Sequence, residues 1–332
     1  METVLRAYGD SHWPSFDMNV VASSKRGSLS TRLRTVASAL LSVRRSRADQ
    51  IHFHLSHRGS FVREGLLVLM TNGKPLFATI HGSDFVRSAG DSALWRTLYK
   101  LVLSRMSSVA VLNDDALASV NQLVPRVPAM ILPNPGPIDP APPAPTYTSG
   151  MSVVFAGRVG HRKGVDTLLR AWDLVQAQQP SAELIIAGPL DADLADEELG
   201  ALSRHHVGPL SPAEVQDRLQ FAACATLPSR AEGQPMFLIE ALAFGVPLVV
   251  SDVGGMPGLA EGAGSVVPVG DHVRLADAIV TILNGGDRVD ELRRSASKKY
   301  QDQFSADAHD AGLRQLYTLH PARSTDLKGT GL

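Results

Sequence analysis

Short runs of apolar, β-branched residues alternate with helical patterns in both halves of the 332-residue chain. Continuous apolar runs of this length are typical of parallel strands that are buried on both faces. The predicted strands are residues 17–23, 50–56, 75–82, 108–113 and 129–133 in the first half, and 151–157, 183–188, 224–229, 247–252 and 265–270 in the second. The alternation therefore predicts an α/β protein with two parallel sheets and helices on both faces.

The helical patterns and a proline-rich stretch divide the chain into domains. Helices are predicted at residues 1–8, 60–70, 164–176, 287–303 and 306–319. Seven prolines between residues 133 and 145 indicate a stiff linker. We predict an N-terminal domain at 1–140, a linker at 141–150, a second domain at 151–303, and a closing segment at 304–332 whose helix crosses back to the first domain. Two Rossmann-like, doubly wound domains that face each other across a cleft fit this pattern.

Composition narrows the class of protein without identifying it. The formal net charge is −1 and the pI is near 6.8, so charge gives no reason to expect a nucleic-acid partner. A single cysteine, Cys224, excludes an internal disulfide and fits a reducing compartment. No apolar run is long enough to span a bilayer, and no signal-peptide pattern opens the chain. These observations predict a cytoplasmic protein.

The densest chemical signal is the string SRAEGQPMFLIEALAFGVPLVVSDVGG at residues 229–255. Glu232 and Gly233 lie in a polar loop after a strand, and Pro235 is suited to the first position of a helix. Glu240 then falls among apolar helical residues, where a carboxylate is costly without a polar partner. The loop amides near Gly233 and the helix N-terminus favour an anionic ligand. A surface loop followed by a helix with one solvated glutamate is the alternative.

The second signal is the string FAGRVGHRKG at residues 155–164. Arg158 and Lys163 follow Gly157 at the carboxyl end of a predicted parallel strand, which is where such sheets bind ligands. An arginine can hold two phosphate oxygens and a lysine adds a point charge. Two solvated surface cations are the alternative, and the flanking glycines favour the phosphate site.

Together these strings resemble the donor-binding half of retaining glycosyltransferases with the GT-B fold, specifically family four. The matched pattern is G-R, then K-G, then E-G-x-P with a second glutamate eight residues after the first, then A-x-G-x-P and G-G. The resemblance covers residues 150–285 well and continues more weakly upstream.

The resemblance implies a role for each matched residue. Arg158 and Lys163 would hold the diphosphate of a nucleotide sugar, Glu232 would bind sugar hydroxyls, and Glu240 would bind the ribose. His81 would reach the sugar from the acceptor side, so the implied catalytic residues are His81, Arg158, Lys163 and Glu232. The implied donor site comprises Gly157, Arg158, Lys163, Gly188, Pro189, Glu232, Gly233, Gln234, Pro235, Met236, Phe237 and Glu240.

The implied reaction is transfer of a hexose, with retention, to an unidentified glycan, glycolipid or lipid-linked acceptor. Cations at the leaving diphosphate would stabilise the developing negative charge. A nucleotide-sugar epimerase of the same fold and a non-catalytic, degenerate subunit are the alternatives. A family-four first domain opens with a strand and a Gly-Gly loop, whereas this chain opens on a helical pattern. We therefore expect a first domain without that strand and loop, and a natural polypeptide that starts upstream of Met1.

Two patterns resemble metal sites. His52, His54 and His57 lie within seven residues, but the neighbouring cations Arg58 and Arg63 disfavour zinc, and the resembled family carries no metal there. Asp191 and Asp193 form an Asp-x-Asp pair within LDADLADEEL, which reads as the solvated start of a helix. We predict no metal and no other cofactor.

The first domain has a basic bias that concerns its partners. Nine lysines or arginines and one acidic residue lie between residues 25 and 63. The helical pattern at 29–47 suits either an anionic membrane surface or a solvated face, which would allow peripheral association with the inner membrane face. The predicted acceptor-side residues are Arg58, Ser60, Arg63 and Asp84.

Overall fold

The computed structural model describes residues 13, 15–23, 28–56, 58–81, 85–136 and 150–319. These residues divide into two compact units. Among the described residues, the first unit comprises those from Trp13 to Pro133 together with those from His309 onward, and the second comprises those from Asn134 to Ala308. The predicted helix at residues 1–8 and nearly all of the predicted linker lie outside the described residues.

The first unit contains a parallel sheet of four strands, β1 Ile51–Leu55, β2 Leu76–Ile80, β3 Ser108–Val111 and β4 Ala129–Ile131. The strands lie side by side in chain order, and each pairs with the next in parallel. The helices between and before them are α1 Leu29–Arg45, α2 Arg58–Met70, α3 Phe85–Asp91, α4 Ala93–Leu103 and α5 Asp114–Leu123. Because the order runs in one direction, the described part of this sheet has no reversal point at which a doubly wound sheet binds ligands.

The prediction of a strand at residues 17–23 is wrong. Val20 and Val21 are 49% and 44% exposed, and the segment joins neither sheet. β-branched residues stabilise a strand through cross-strand neighbours, and this segment has none in the described sheets.

The second unit contains a parallel sheet of six strands. They are β5 Ser152–Ala156, β6 Glu183–Ala187, β7 His206–Gly208, β8 Ala222–Leu227, β9 Leu248–Ser251 and β10 Gly264–Val267. The spatial order is β10-β9-β8-β5-β6-β7. The chain therefore moves outward from β5 to β7 and returns to the other side of β5 with β8. This reversal between β5 and β8 is a topological switch point, and ligands bind beyond the carboxyl ends of the strands there.

The described part of the second unit contains seven α-helices: α6 Val165–Gln178, α7 Asp196–Leu202, α8 Pro212–Leu219, α9 Met236–Ala243, α10 Met256–Ala260, α11 His272–Leu283 and α12 Asp287–Gln303. α6 shows why the pattern was readable, because Val165, Leu168, Trp172 and Val175 are all buried along one face. The predicted strands of this half are confirmed within a few residues, and β7 was not predicted.

The chain end returns to the first unit as α13, Ala306–Thr318. Ser108 Oγ donates a hydrogen bond of 2.7 Å to the carbonyl oxygen of Leu316, and the Tyr317 hydroxyl lies 3.0 Å from His52 Nδ1. Buried Asp310 accepts hydrogen bonds from the amide and hydroxyl of Ser15, at 3.3 and 2.7 Å. The first unit is thus discontinuous along the chain.

Candidate functional site

The loop after β5 carries Gly157, Arg158 and Lys163. A short 3-10 turn at His161–Lys163 leads into α6 through Gly164, whose φ is +73°. A Cβ at Gly164 would lie 1.8 Å from the carbonyl oxygen of Pro228, so the loop can rest against the end of β8 because this residue is glycine. The contact brings Lys163 across to the β8 side of the switch point.

Lys163 and Glu232 form an ion pair at that point. The distance from Lys163 Nζ to Glu232 Oε1 is 2.5 Å, and the two side chains are only 12% and 9% exposed. Ser229 Oγ lies 3.5 Å from the same oxygen, and Arg162 Nη2 lies 3.9 Å from it. The structure therefore brings together a cation predicted for the diphosphate and the carboxylate predicted for the sugar.

Main-chain contacts hold the loop that carries Glu232. Gly254 has a φ of +56°, and a Cβ there would lie 1.9 Å from the carbonyl oxygen of Glu232. The amide of Gly255 donates a hydrogen bond of 2.9 Å to the carbonyl oxygen of Gly233. The glycine pair that closes the sequence string thus supports the first glutamate of the same string.

Helix α9 begins at Met236, with Pro235 as its N-cap residue rather than its first helical residue. The first-turn amides of Met236 and Phe237 have no carbonyl partner within the helix, and with the helix dipole they favour negative charge. Gln234 Oε1 accepts a hydrogen bond of 2.7 Å from the amide of Asn134. This bond fixes the Gln234 side chain against the start of the second unit.

Glu240 lies within α9 and is 7% exposed. Burial among the apolar residues of this helix raises the pKa of the Glu240 carboxyl to about 7. A ligand hydroxyl that donates to this carboxylate would favour its ionised form.

Arg158 lies at the end of β5 and faces the loop after β6. Its Nη1 donates to Asp191 Oδ1 at 3.1 Å, and its side chain is 57% exposed. The amide of His161 donates to Asp193 Oδ2 at 3.2 Å, and His161 Nε2 lies 2.9 Å from a Glu198 carboxylate oxygen, which raises the pKa of His161. A helix does start within residues 190–199, as predicted, because α7 begins at Asp196 with three acidic residues in its first turn. Asp191, Asp193 and Glu198 nevertheless contact the loop after β5.

Gly188 and Pro189, which belong to the implied donor site, directly follow the last residue of β6. The Gly188 amide donates to the carbonyl oxygen of Gly208, and the carbonyl oxygen of Pro189 accepts from the amide of Val159, both at 2.9 Å. These bonds continue the sheet pairing beyond the strands and place both residues at its carboxyl edge.

The histidines of β1 make hydrogen bonds within the first unit. His52 Nε2 lies 2.7 Å from Thr79 Oγ1, and His54 Nδ1 lies 2.8 Å from His81 Nε2. Burial lowers the pKa of His54 to about 4 and that of His52 well below its usual value, so both rings are neutral at pH 7. Among the described residues, no group of three or more His, Cys, Asp or Glu side chains is arranged to hold a metal ion. His57 lies outside the described residues.

His81, predicted on the acceptor side, is oriented into its own unit. Its Nε2 is bonded to His54, its Nδ1 is shielded from solvent, and its amide donates to the carbonyl oxygen of Leu55 at 2.7 Å. His81 would therefore have to break its bond with His54 before Nε2 could contact a substrate.

Two of the predicted acceptor-side residues surround a carboxylate that the sequence did not single out. Glu64 is 7% exposed and accepts hydrogen bonds from Ser60 Oγ at 2.5 Å, Arg63 Nη2 at 2.7 Å and Ser23 Oγ at 2.8 Å. The four-residue spacing of Ser60 and Glu64 on a predicted helix could have indicated this contact, because residues four apart lie on the same face. The side chain of Arg58 and the whole of Asp84 lie outside the description.

Two parallel α/β units, one of them doubly wound, define the class of fold. A solved structure of the Anabaena protein Alr3699/HepE in complex with UDP and glucose matches this chain with a TM-score of 0.69 at 17% identity. The match covers 90% of this chain and 85% of that one. The chain has the GT-B fold of glycosyltransferases, which confirms the predicted fold class.

The second unit carries the family match. Residues 150–285 match the family described as glycosyl transferases group 1, which supports a glycosyltransferase with the GT-B fold. D-inositol 3-phosphate glycosyltransferase 1 of Catenulispora acidiphila is 29% identical over 284 residues, which cover 75% of this chain and 67% of that protein. D-inositol 3-phosphate glycosyltransferase of Jonesia denitrificans is 32% identical over 181 residues, or 51% of this chain. The match spans only 43% of the length of the Jonesia protein.

Proposed function

We propose that this protein is a retaining glycosyltransferase that moves a hexose from a nucleotide-diphosphate sugar to an acceptor hydroxyl. The observation that carries the proposal is the meeting of Lys163 and Glu232 at the topological switch point, with Arg158 at the adjacent strand end. A doubly wound sheet binds its ligand there, and the cations suit a diphosphate. The group 1 match covers these three residues.

The chemistry assigns each residue a role. When the bond between the sugar and the phosphate breaks, negative charge develops on the departing diphosphate, and Arg158 and Lys163 would stabilise it. A phosphate that engages Lys163 would release Glu232 from its ion pair, so that this carboxylate could accept hydrogen bonds from sugar hydroxyls. The first-turn amides of Met236 and Phe237 would add donors on the same side.

The nucleotide would occupy the flanking positions. Glu240 would accept hydrogen bonds from the ribose hydroxyls, which gives its buried carboxylate the donors it requires. The base would lie against Gly188 and Pro189 at the end of β6. Two protein cations would neutralise the diphosphate without a divalent metal, so we propose that no cofactor is needed.

The acceptor and the stereochemistry rest on the family resemblance. Retention is proposed on that ground, with His81, Arg58, Ser60, Arg63 and Asp84 on the acceptor side. A glycan, a glycolipid or a lipid-linked intermediate is the proposed acceptor. Two relatives are named for D-inositol 3-phosphate and another for phosphatidyl-myo-inositol, so both compounds belong among the acceptors to test.

Peripheral association with an anionic membrane is proposed for the first unit. Helix α1 ends in Arg44 and Arg45, both exposed, and Arg34 is exposed on the same helix. Basic side chains near a surface of anionic lipid are attracted to it. Within the described ranges, no helix is long and apolar enough to cross a bilayer.

Incubation of the purified protein with labelled UDP-, GDP- and ADP-sugars, with and without a cell extract as acceptor source, tests the proposal. Label that moves into an extract component supports transfer, and the anomeric configuration of that product reports retention or inversion. Label that remains in a changed nucleotide sugar would instead identify an epimerase. Binding of a nucleotide sugar without any turnover would identify a non-catalytic subunit.

A further inference from the structure

The acidic segment after β6, which carries Asp191, Asp193 and Glu198, is hydrogen-bonded to the basic loop after β5, which carries Arg158 and His161. Asp191 accepts from Arg158, Asp193 accepts from the amide of His161, and Glu198 binds the His161 ring. Gly160, between these residues, has no room for a side chain, since a Cβ there would lie 2.7 Å from both Asp191 Cβ and Asp193 Oδ1. The two loops are therefore built against each other.

The bond between Arg158 and Asp191 differs from the others because Arg158 is itself proposed to bind the ligand and because this ion pair is exposed to solvent. The Arg158 side chain is 57% exposed and the Asp191 side chain 28%. An exposed ion pair of this kind contributes little to stability, so it can be exchanged at low cost. A diphosphate that reached Arg158 would meet the Asp191 carboxylate at close range, and like charges repel.

The basic loop would stay in place if Asp191 released Arg158. Val159 and Asp191 exchange main-chain bonds with the opposite loop, from Val159 N to Pro189 O at 2.9 Å and from Asp191 N to Val159 O at 2.8 Å. The bonds of His161 to Asp193 and Glu198 do not involve Arg158. Only the guanidinium needs to move.

We propose that Asp191 is a positioning residue that holds the Arg158 guanidinium at the carboxyl end of the sheet and yields it to an incoming nucleoside diphosphate. The exchange makes the resting carboxylate a competitor of the ligand, so Asp191 sets how weakly the diphosphate is held and how readily it leaves after transfer. This inference rests on the proposed function, because it assumes that a diphosphate binds at Arg158.

The test is Asp191→Asn, which keeps an oxygen that can accept from Arg158 and removes the negative charge. The matched control is Asp196→Asn, which removes one charge from the exposed first turn of α7. UDP, GDP and ADP are titrated into the wild-type protein and each variant by calorimetry at fixed ionic strength. Asp191→Asn should bind the preferred diphosphate about tenfold more tightly than the wild type, and Asp196→Asn should bind within about twofold of it.

A second comparison separates exchange at Arg158 from general repulsion. In an Arg158→Ala background the gain from Asp191→Asn should fall below about twofold, because the two residues act as a pair. Unchanged or weaker binding by Asp191→Asn, or an equal gain in the Arg158→Ala background, would overturn the inference while leaving the proposed function intact. If none of the three diphosphates bound to the wild type or to Asp191→Asn, the proposed function and the inference would both be wrong.

Discussion

Glu240 should make the stability of the second unit fall as the pH rises through neutrality. The folded carboxyl has a pKa of about 7 and the unfolded one about 4.5. Between these values the folded protein keeps a proton that the unfolded chain releases, so the free energy of unfolding decreases with increasing pH. At about 1.4 kcal/mol per unit of pKa difference, the loss reaches about 3 kcal/mol above pH 7.

Glu240→Gln should remove this loss, because the amide keeps the shape of the side chain and does not ionise. The difference in the free energy of unfolding between variant and wild type should shift in favour of the variant by about 3 kcal/mol between pH 4.5 and pH 8. Glu183→Gln, an exposed change of the same kind at the start of β6, should show no such shift.

Urea unfolding followed by tryptophan fluorescence measures this difference in the second unit alone. The chain has three tryptophans, and in a Trp13→Phe, Trp95→Phe background only the buried Trp172 remains. A difference between Glu240→Gln and wild type that is the same at pH 5 and pH 8 would refute the reasoning from burial. Saturation with a bound nucleotide should reduce the pH dependence, since ribose hydroxyls would stabilise the ionised carboxylate.

Four further predictions follow from the geometry. Lys163→Ala should lower turnover about a hundredfold and lower the free energy of unfolding by about 2 kcal/mol, because the buried Glu232 carboxylate keeps only the more distant Arg162 as a counter-charge; adding Glu232→Gln should recover the melting temperature and not the activity. Gly164→Ala should lower the melting temperature and abolish diphosphate binding measured by calorimetry, whereas Gly200→Ala, within α7 and with room for a Cβ, should leave binding unchanged and should not lower the melting temperature. The free energy of unfolding of the first unit should decrease by about 3 kcal/mol as the pH falls from 6.5 towards 4, because the His54 ring is protonated in the unfolded chain and stays neutral when buried. Unfolding followed by Trp13 and Trp95 fluorescence measures this decrease. Transfer should persist in excess chelator, and elemental analysis of the purified protein should find no stoichiometric zinc.

The elements that the sequence predicted well are those whose burial is continuous. β8 and β9 are buried at every position, so their apolar runs are unbroken and easily read. β7 has three residues and an exposed Val207, which leaves almost no pattern. Residues 17–23 show the opposite error, because a β-branched run without strand neighbours remains exposed.

For the site, the sequence indicated which side chains take part but not which of them contact each other. The motifs gave the positions of Lys163 and Glu232, but the 2.5 Å contact between them depends on where β5 and β8 end in the sheet. Asp191 was visible as one of a pair of acids, and its partner Arg158 comes from a loop that only the pairing of β5 with β6 brings near. Such partners are distant in the chain, so no local spacing predicts them.

The discontinuity of the first unit has a consequence for how the protein is made. During translation the residues of the second unit leave the ribosome before α13 does, so the larger sheet can fold while the smaller one still lacks Asp310, Leu316 and Tyr317. Until α13 has been synthesised, the first unit lacks the hydrogen bonds from Ser108 to Leu316 and between His52 and Tyr317. During that interval the incomplete first unit exposes surface that nascent-chain chaperones would bind, and every residue inserted into the second unit lengthens the interval.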